Sequence, residues 1–161
     1  MLRFRGVDSR RLKLLPEVHC SCFRISQRDL RAMNVLIVED QPNDLRVATR
    51  AAEASGFSSV EARPSAESAV SWLQKGLAGE VSLPDAIVLD IDLGFQSGFE
   101  LLRYWHSDPR LARIPLVVWT VLGDHYREIC RMFKVKAYVD KGQDVSVLQQ
   151  VLRGLSGVPA Q

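Results

Sequence analysis

From residue 33 onward, short runs of apolar residues alternate with longer stretches in which apolar residues recur at every third or fourth position. The short runs predict β-strands, and the longer stretches predict α-helices. The predicted strands cover residues 34–38, 58–62, 86–89, 116–119 and 137–139. The predicted helices cover residues 43–55, 65–76, 97–107, 124–133 and 145–155. Ser65 and Asp144 stand where two of these helices begin, and we expect them to act as N-caps.

The strict alternation of five strands with five helices decides the fold class. Parallel neighbours in a sheet need long crossover connections, and helical crossovers cover both faces of the sheet. The prediction is therefore an α/β protein with a doubly wound, five-stranded parallel sheet and helices on both faces. In such a fold the ligand crevice lies beyond the carboxyl ends of the strands.

The first 32 residues differ in charge from the rest of the chain. They hold eight basic and three acidic residues, a net charge of +5, whereas residues 33–161 hold thirteen basic and sixteen acidic residues, a net charge of −3. Because this segment has no helical or alternating period, we expect a poorly ordered extension. Met33 directly precedes the first strand, which suggests that the native chain starts there. A basic arm that contacts an acidic partner or a membrane surface is the alternative.

Composition narrows the class of protein further. The chain has 161 residues, which suits one domain, expected at residues 33–155 and followed by a tail at residues 156–161. No apolar run reaches the roughly 18 residues of a transmembrane helix. Three cysteines and no leader pattern predict a reducing, cytoplasmic compartment. The scattered basic residues of the domain offer no footprint for nucleic acid.

Polar residues follow the apolar strands at their carboxyl ends, where the crevice is expected. They are Glu39, Asp40, Asp90, Asp92, Thr120 and Lys141. If the first and third strands are neighbours, three of these carboxylates meet, and a hard cation such as Mg²⁺ is the usual partner for them. A carboxylate can also attack phosphorus. That chemistry needs a cation such as Lys141 and a hydroxyl such as Thr120 to hold the phosphoryl oxygens.

Each of these residues also has a purely structural interpretation. Glu39 and Asp40 could cap the helix that begins near Pro42, and Asp90 could be another cap. Thr120 could be an ordinary strand residue, and Lys141 a solvated turn residue. In the N-terminal segment, His19, Cys20 and Cys22 lack a fourth ligand at zinc-finger spacing, so we do not predict a zinc site there.

Four segments in order resemble the receiver domain of two-component response regulators. They are VLIVED at 35–40, IVLDIDLGFQSGFELL at 87–102, PLVVWT at 115–120 and AYVDK at 137–141. The resemblance covers about residues 33–155 and implies a flavodoxin-like sheet with strand order 2-1-3-4-5. The chain looks most like small stand-alone receivers, including those that partner phytochrome-type kinases.

The resemblance implies a role for each site residue. Asp90 would accept a phosphoryl group from a histidine kinase or a phosphotransfer protein. Mg²⁺ or Mn²⁺ would be held by Glu39, Asp40, Asp90 and the backbone carbonyl of Asp92. The phosphoryl group would be held by Thr120 and Lys141, and Tyr138 matches the aromatic residue that changes rotamer as Thr120 moves.

The sequence departs from the family pattern at a few positions. Val121 stands where receivers usually have Ala, Ser or Gly, and its branched side chain could narrow access to Asp90. Gly142 and Gly94 each replace a common proline, and Asp92 adds an acidic side chain near the phosphorylation site. None of these changes removes a reacting group.

The expected function is that of a stand-alone response regulator with no separate output enzyme. It would signal through its fourth helix, fifth strand and fifth helix to an unknown downstream protein or a second copy of itself. The principal alternative is a docking module that uses the receiver fold without phosphorylation. A haloacid-type hydrolase, which Asp92 mimics as a second aspartate, needs a cap domain that this length cannot hold.

Overall fold

The structure of the protein is a computed structural model that describes residues 32–94 and 96–157. The basic segment predicted as an extension lies outside the described residues, except for Ala32, and so does the end of the predicted tail. His19, Cys20 and Cys22 also lie outside them.

Five parallel strands form the central sheet, and two short strands form a separate hairpin. In chain order the strands are β1 (Asn34–Val38), β2 (Ser59–Arg63), β3 (Ala86–Leu89), β4 (Asp92–Leu93), β5 (Gln96–Ser97), β6 (Leu116–Thr120) and β7 (Ala137–Asp140). The sheet has the order β2-β1-β3-β6-β7. Numbered among the five sheet strands alone, this is the predicted order 2-1-3-4-5, so the predicted fold class is confirmed.

Five helices cover the two faces of the sheet. They are α1 (Pro42–Glu53), α2 (Ala66–Ala78), α3 (Phe99–Ser107), α4 (Asp124–Met132) and α5 (Val145–Ser156). Buried side chains of α1 and α5 share one apolar cluster, and those of α2, α3 and α4 share the other. Among the described residues, none of the helices has both the length and the apolar character needed to cross a bilayer.

Both predicted helix caps are present. The Ser65 hydroxyl accepts a hydrogen bond from Ser68 N at 3.2 Å, and the Ser68 hydroxyl accepts one from Ser65 N at 3.3 Å. Asp144 Oδ1 accepts a hydrogen bond from Ser146 N at 2.8 Å. These side chains satisfy backbone donors that have no partner inside the helix. Local sequence was therefore enough to locate the starts of α2 and α5.

The register of the sheet brings the ends of β1 and β3 together. Val38 is paired with Leu89, and Asp90 N donates to Val38 O at 3.0 Å. All four residues of β3 and the last four of β1 are buried, because helices cover both faces here. The residues that follow the two strands, Glu39 and Asp90, consequently emerge side by side at the carboxyl edge.

The β4–β5 hairpin differs from the sequence prediction, which has an ordinary loop at residues 95–98 and a third helix that begins at residue 97, whereas α3 begins at Phe99. Leu93 is paired with Gln96, and Gly94 lies in the turn with φ of 64°. Proline is held near φ of −65° and cannot adopt this conformation, whereas glycine adopts it at little cost. Gly94 thus suits a tight turn in the loop that follows Asp90.

Lys134 lies in the turn after α4 and has a positive φ of 57°. Among the described residues it is the one residue other than glycine with a positive φ. For a residue with a Cβ atom this left-handed conformation costs about 1 to 2 kcal/mol. Substitution by glycine removes this cost, but part of the resulting gain in stability is lost because glycine makes the unfolded chain more flexible. We expect Lys134→Gly to raise the free energy of unfolding by about 0.5 to 1 kcal/mol, measured by chemical denaturation.

Lys136 provides the matched control, because it is also exposed but has no positive φ. Lys136→Gly should lower the free energy of unfolding by up to about 1 kcal/mol. Equal effects of the two substitutions would show that the backbone at Lys134 is not strained.

Candidate functional site

Three carboxylates meet at the carboxyl edge of the sheet. Glu39 and Asp40 follow β1, and Asp90 follows β3. One oxygen from each lies within 4.8 Å of the others. Glu39 is 2% exposed and Asp90 is 3% exposed. The sequence prediction that these three side chains share one crevice is therefore what the geometry shows.

Lys141 supplies the cation at this cluster. Its Nζ donates to Glu39 Oε2 at 2.6 Å, to Asp44 Oδ2 at 2.7 Å and to Asp90 Oδ2 at 2.5 Å. The lysine side chain is 6% exposed, so its interpretation as a solvated turn residue is wrong. Its Nζ also lies 4.9 Å from the centre of the Trp119 ring, at a cation–π distance.

The fifth strand of the sheet places this lysine. Thr120 is paired with Asp140 across β6 and β7, and Lys141 N then donates to Thr120 O at 2.9 Å. The chain turns at once, since Asp140 Oδ1 accepts from Gly142 N at 2.7 Å. This turn directs the lysine along the strand ends toward β3 and β1.

The pKa values of Lys141 and Glu39 both rise, for different reasons. Burial alone would lower the pKa of Lys141, but its hydrogen bonds to Asp44, Asp90 and Glu39 outweigh burial and raise it. Burial raises the pKa of Glu39, and the hydrogen bond from Lys141 only partly offsets this. The ammonium donates to three carboxylates, and all three stabilise its charged form. Glu39 accepts only one hydrogen bond from the ammonium, which is not enough to offset its burial.

One buried oxygen of Asp40 lacks a hydrogen-bond partner among the described residues. Its Oδ2 accepts from Gln41 Nε2 at 3.0 Å, but its Oδ1 is buried and has no hydrogen-bond partner among the described residues. A buried acceptor without a partner is costly. An all-oxygen set of neighbouring carboxylates with one unused, buried oxygen fits a hard divalent cation such as Mg²⁺ or Mn²⁺.

The helix-cap interpretation of the acidic pair holds only in part. Glu39 Oε1 accepts from Gln41 N at 3.0 Å, so one oxygen of Glu39 does hold the turn before α1. The other oxygen faces Lys141. The N-cap residue of α1 is Gln41, and its side chain makes no capping hydrogen bond to the helix. The acidic pair is therefore mainly part of the site.

The loop after β3 holds Asp90 through its backbone. Asp92 N donates to Asp90 Oδ1 at 2.9 Å, while the Asp92 side chain is exposed. Gly98 N donates to Ile91 O at 2.9 Å. A Cβ atom at Gly98 would lie 2.4 Å from Asp90 O, which is too close for any contact between non-bonded atoms. The hairpin and the start of α3 thus fold tightly against the carboxylate.

Thr120, Tyr138 and Val121 lie around the loop after β6. Thr120 is fully buried, and its Oγ1 accepts from Leu122 N at 3.3 Å. The Tyr138 hydroxyl donates to the carbonyls of Leu122 and Gly123. Val121 is 59% exposed. Thr120 and Tyr138 therefore both hold the same short loop.

Sequence reasoning did not identify Asp44 as a site residue. It lies in the first turn of α1, four residues after Asp40, and its side chain is 37% exposed. A four-residue spacing is one helical turn, which keeps two side chains on one face of a helix. That spacing was the available signal, but Asp40 itself precedes α1, so a helical period could not be assumed.

Comparison with known proteins gives consistent matches. Residues 35–153 match the family described as response regulator receiver domain. The polar-differentiation response regulator DivK of Brucella ovis is 29% identical over 127 residues, 77% of this chain and 96% of that protein. The phosphorylated cyanobacterial phytochrome response regulator RcpA matches with a TM-score of 0.66 and 29% identity, over 78% of this chain and 91% of that one. The Mn²⁺-bound form of the response regulator Rcp1 matches with a TM-score of 0.65 and 25% identity, over 78% and 93%.

The tight packing of Gly98 against Asp90 yields a prediction about stability. Gly98→Ala forces the backbone of the Asp90 loop to move, and overpacking of this kind costs about 1 to 3 kcal/mol. We expect a lower midpoint of chemical denaturation. Gly154→Ala in α5 is the control, because a Cβ there meets nothing within 4 Å, and it should be neutral or stabilising by up to about 1 kcal/mol. Equal stability of Gly98→Ala and the wild type would contradict this account.

Proposed function

The chain belongs to the family of response regulator receiver domains, and we propose that it is a stand-alone response regulator of a two-component or phosphorelay system. Asp90 accepts the phosphoryl group from the phosphohistidine of a histidine kinase or a phosphotransfer protein. The observation that supports this best is the 2.5 Å contact between Lys141 Nζ and Asp90 Oδ2 inside a buried acidic cluster. We further propose that the receiver domain spans residues 33–155 and acts in the cytoplasm.

The proposed reaction is an in-line displacement at phosphorus. A carboxylate oxygen of Asp90 attacks, the bond between phosphorus and the histidine nitrogen breaks, and the electron pair leaves with the imidazole. Lys141 neutralises charge on the phosphoryl oxygens. Glu39, Asp40, Asp90 and the backbone carbonyl of Asp92 would hold Mg²⁺ or Mn²⁺. The ion would supply further positive charge beside the phosphoryl oxygens.

The proposed switch begins at Thr120. Its Oγ1 accepts a hydrogen bond from Leu122 N, and its own hydroxyl proton can be donated to a phosphoryl oxygen on Asp90. Movement of Thr120 changes the loop that Tyr138 also holds through two carbonyls. The face formed by α4, β7 and α5 would then change its arrangement and bind a downstream protein or a second copy.

Val121 is proposed to restrict which phosphodonors react. Its side chain is 59% exposed beside Thr120. A branched apolar group at that position narrows the approach to Asp90 for small anionic donors and for water. A partner protein that presents a phosphohistidine also gains binding energy from contacts away from Asp90. We therefore expect Val121 to slow its reaction less than that of a small donor.

The phosphoryl-transfer proposal is tested by labelling the full chain. We expect one phosphoryl group to be gained from a phosphorylated histidine kinase of the same organism in the presence of Mg²⁺, measured by intact mass and by Phos-tag mobility. Asp90→Asn should abolish the gain because the nucleophile is lost. Asp108→Asn, beyond the far end of α3, should keep it.

Two other outcomes of the labelling would change the conclusion. A label that kinases deliver but acetyl phosphate does not would support the proposed restriction of access by Val121. If no donor labels the wild type, and partner binding is unchanged in Asp90→Asn, the protein is a docking module that uses this fold without phosphorylation.

The acidic cluster also predicts stabilisation by metal. Millimolar Mg²⁺ should raise the Tm, because an ion that binds only the folded state adds about 2.7 kcal/mol at one hundred times its Kd. Asp40→Asn should remove most of this rise, whereas Asp108→Asn should retain it. KCl at equal ionic strength is the salt control, and an equal rise with KCl would exclude a specific site.

A further inference from the structure

All the hydrogen-bond donors of Lys141 are already in use. A lysine ammonium carries three N–H groups. Each has a carboxylate acceptor from a different part of the fold, namely Glu39 after β1, Asp44 in α1 and Asp90 after β3. If Lys141 is to donate to a phosphoryl oxygen on Asp90, one of these bonds must break.

If Asp90 attacks through Oδ1, the oxygen that does not accept from Lys141, its Oδ2 remains an acceptor for the lysine. Burial then decides whether the bond to Glu39 or the bond to Asp44 breaks at the lower cost. The side chain of Glu39 is 1% exposed, so losing the lysine would leave a buried carboxylate without its cation. The side chain of Asp44 is 37% exposed, so water can solvate it once the lysine departs. Of the three ion pairs of Lys141, the pair with Asp44 is therefore the one that water screens most. Asp44 is therefore the acceptor that can be exchanged.

We propose that Asp44 is the resting partner of Lys141 and is exchanged for a phosphoryl oxygen when Asp90 is phosphorylated. This inference rests on the proposed function and adds a positioning residue to it. Asp44 holds the ammonium at the site while Asp90 is free. The same contact competes with the phosphoryl group, so it sets how readily the phosphorylated state forms.

Trp119 is a spectroscopic probe of the position of the Lys141 ammonium group. Lys141 Nζ lies 4.9 Å from its ring centre, whereas the chain's other tryptophans, Trp72 and Trp105, pack in the apolar cluster on the opposite face of the sheet. With 5-fluorotryptophan in the full chain, the ¹⁹F resonance of Trp119 can be assigned with Trp119→Phe. A change in the lysine position should shift this resonance alone.

The experiment compares Asp44→Asn with the wild type in two measurements. The substitution keeps the size of the side chain and removes its charge. In the absence of ligand, we expect the Trp119 resonance to move while those of Trp72 and Trp105 stay in place, which also shows that the variant is folded. In the presence of Mg²⁺, we expect beryllium fluoride, a mimic of the phosphoryl group, to bind about two- to fivefold more tightly, since the competing ion pair is gone.

Two controls separate exchange from a general effect of charge. Glu100→Gln removes an exposed negative charge from the first turn of α3, at a residue that is not an acceptor for Lys141. It should leave the Trp119 resonance in place and change beryllium fluoride affinity less than Asp44→Asn does. Glu53→Gln, in the last turn of α1, should change neither measurement.

The outcomes distinguish this inference from the proposed function. Binding of beryllium fluoride by the wild type, with equal or weaker binding by Asp44→Asn, would overturn the exchange alone. Equal tightening by Glu100→Gln would also overturn it, because removal of a negative charge from this end of the molecule would then be sufficient. Absence of binding by the wild type and by every variant would overturn the proposed function and the exchange together.

Discussion

The ammonium group of Lys141 is the contact on which the site depends. Glu39 and Asp90 are both almost fully buried, and like charges repel strongly where water is excluded. They can lie close together only because a cation donates to both of them. With four carboxylates nearby and one ammonium, the cluster retains negative charge, and such a set of oxygen ligands fits a hard divalent cation.

The parallel sheet makes this contact possible. Pairing of Val38 with Leu89 places two carboxylates beside each other, and pairing of Thr120 with Asp140 places the lysine within reach of them. The helices that bury both faces keep the strands in this register, because a slip by one residue would turn every buried side chain to the opposite face. The packing of the core and the chemistry of the edge are thus set by the same strand pairs.

The backbone of the loop between β3 and α3 helps to orient the Asp90 carboxylate. Gly94 adopts a positive φ in the hairpin turn, and Gly98 lies against the carbonyl of Asp90 where no Cβ would fit. Both glycines allow the chain to fold back tightly, so Asp92 N can donate to Asp90 Oδ1. This bond orients the carboxylate whose other oxygen meets the lysine.

The sequence by itself determined the five strands of the sheet, the five helices, the fold class and most of the residues at the crevice. Apolar runs such as that of β3, followed at once by Asp90, predict both a buried strand and a polar group at its end, because both signals are local. The tertiary structure alone decided that Lys141 donates to Asp44, a residue 97 positions away, and that a hairpin follows Asp90. The physical reason is that a shared hydrogen-bond donor requires distances correct to a few tenths of an ångström. Those distances come from the packing of β1, β3, β7 and α1 against one another, which no local pattern encodes.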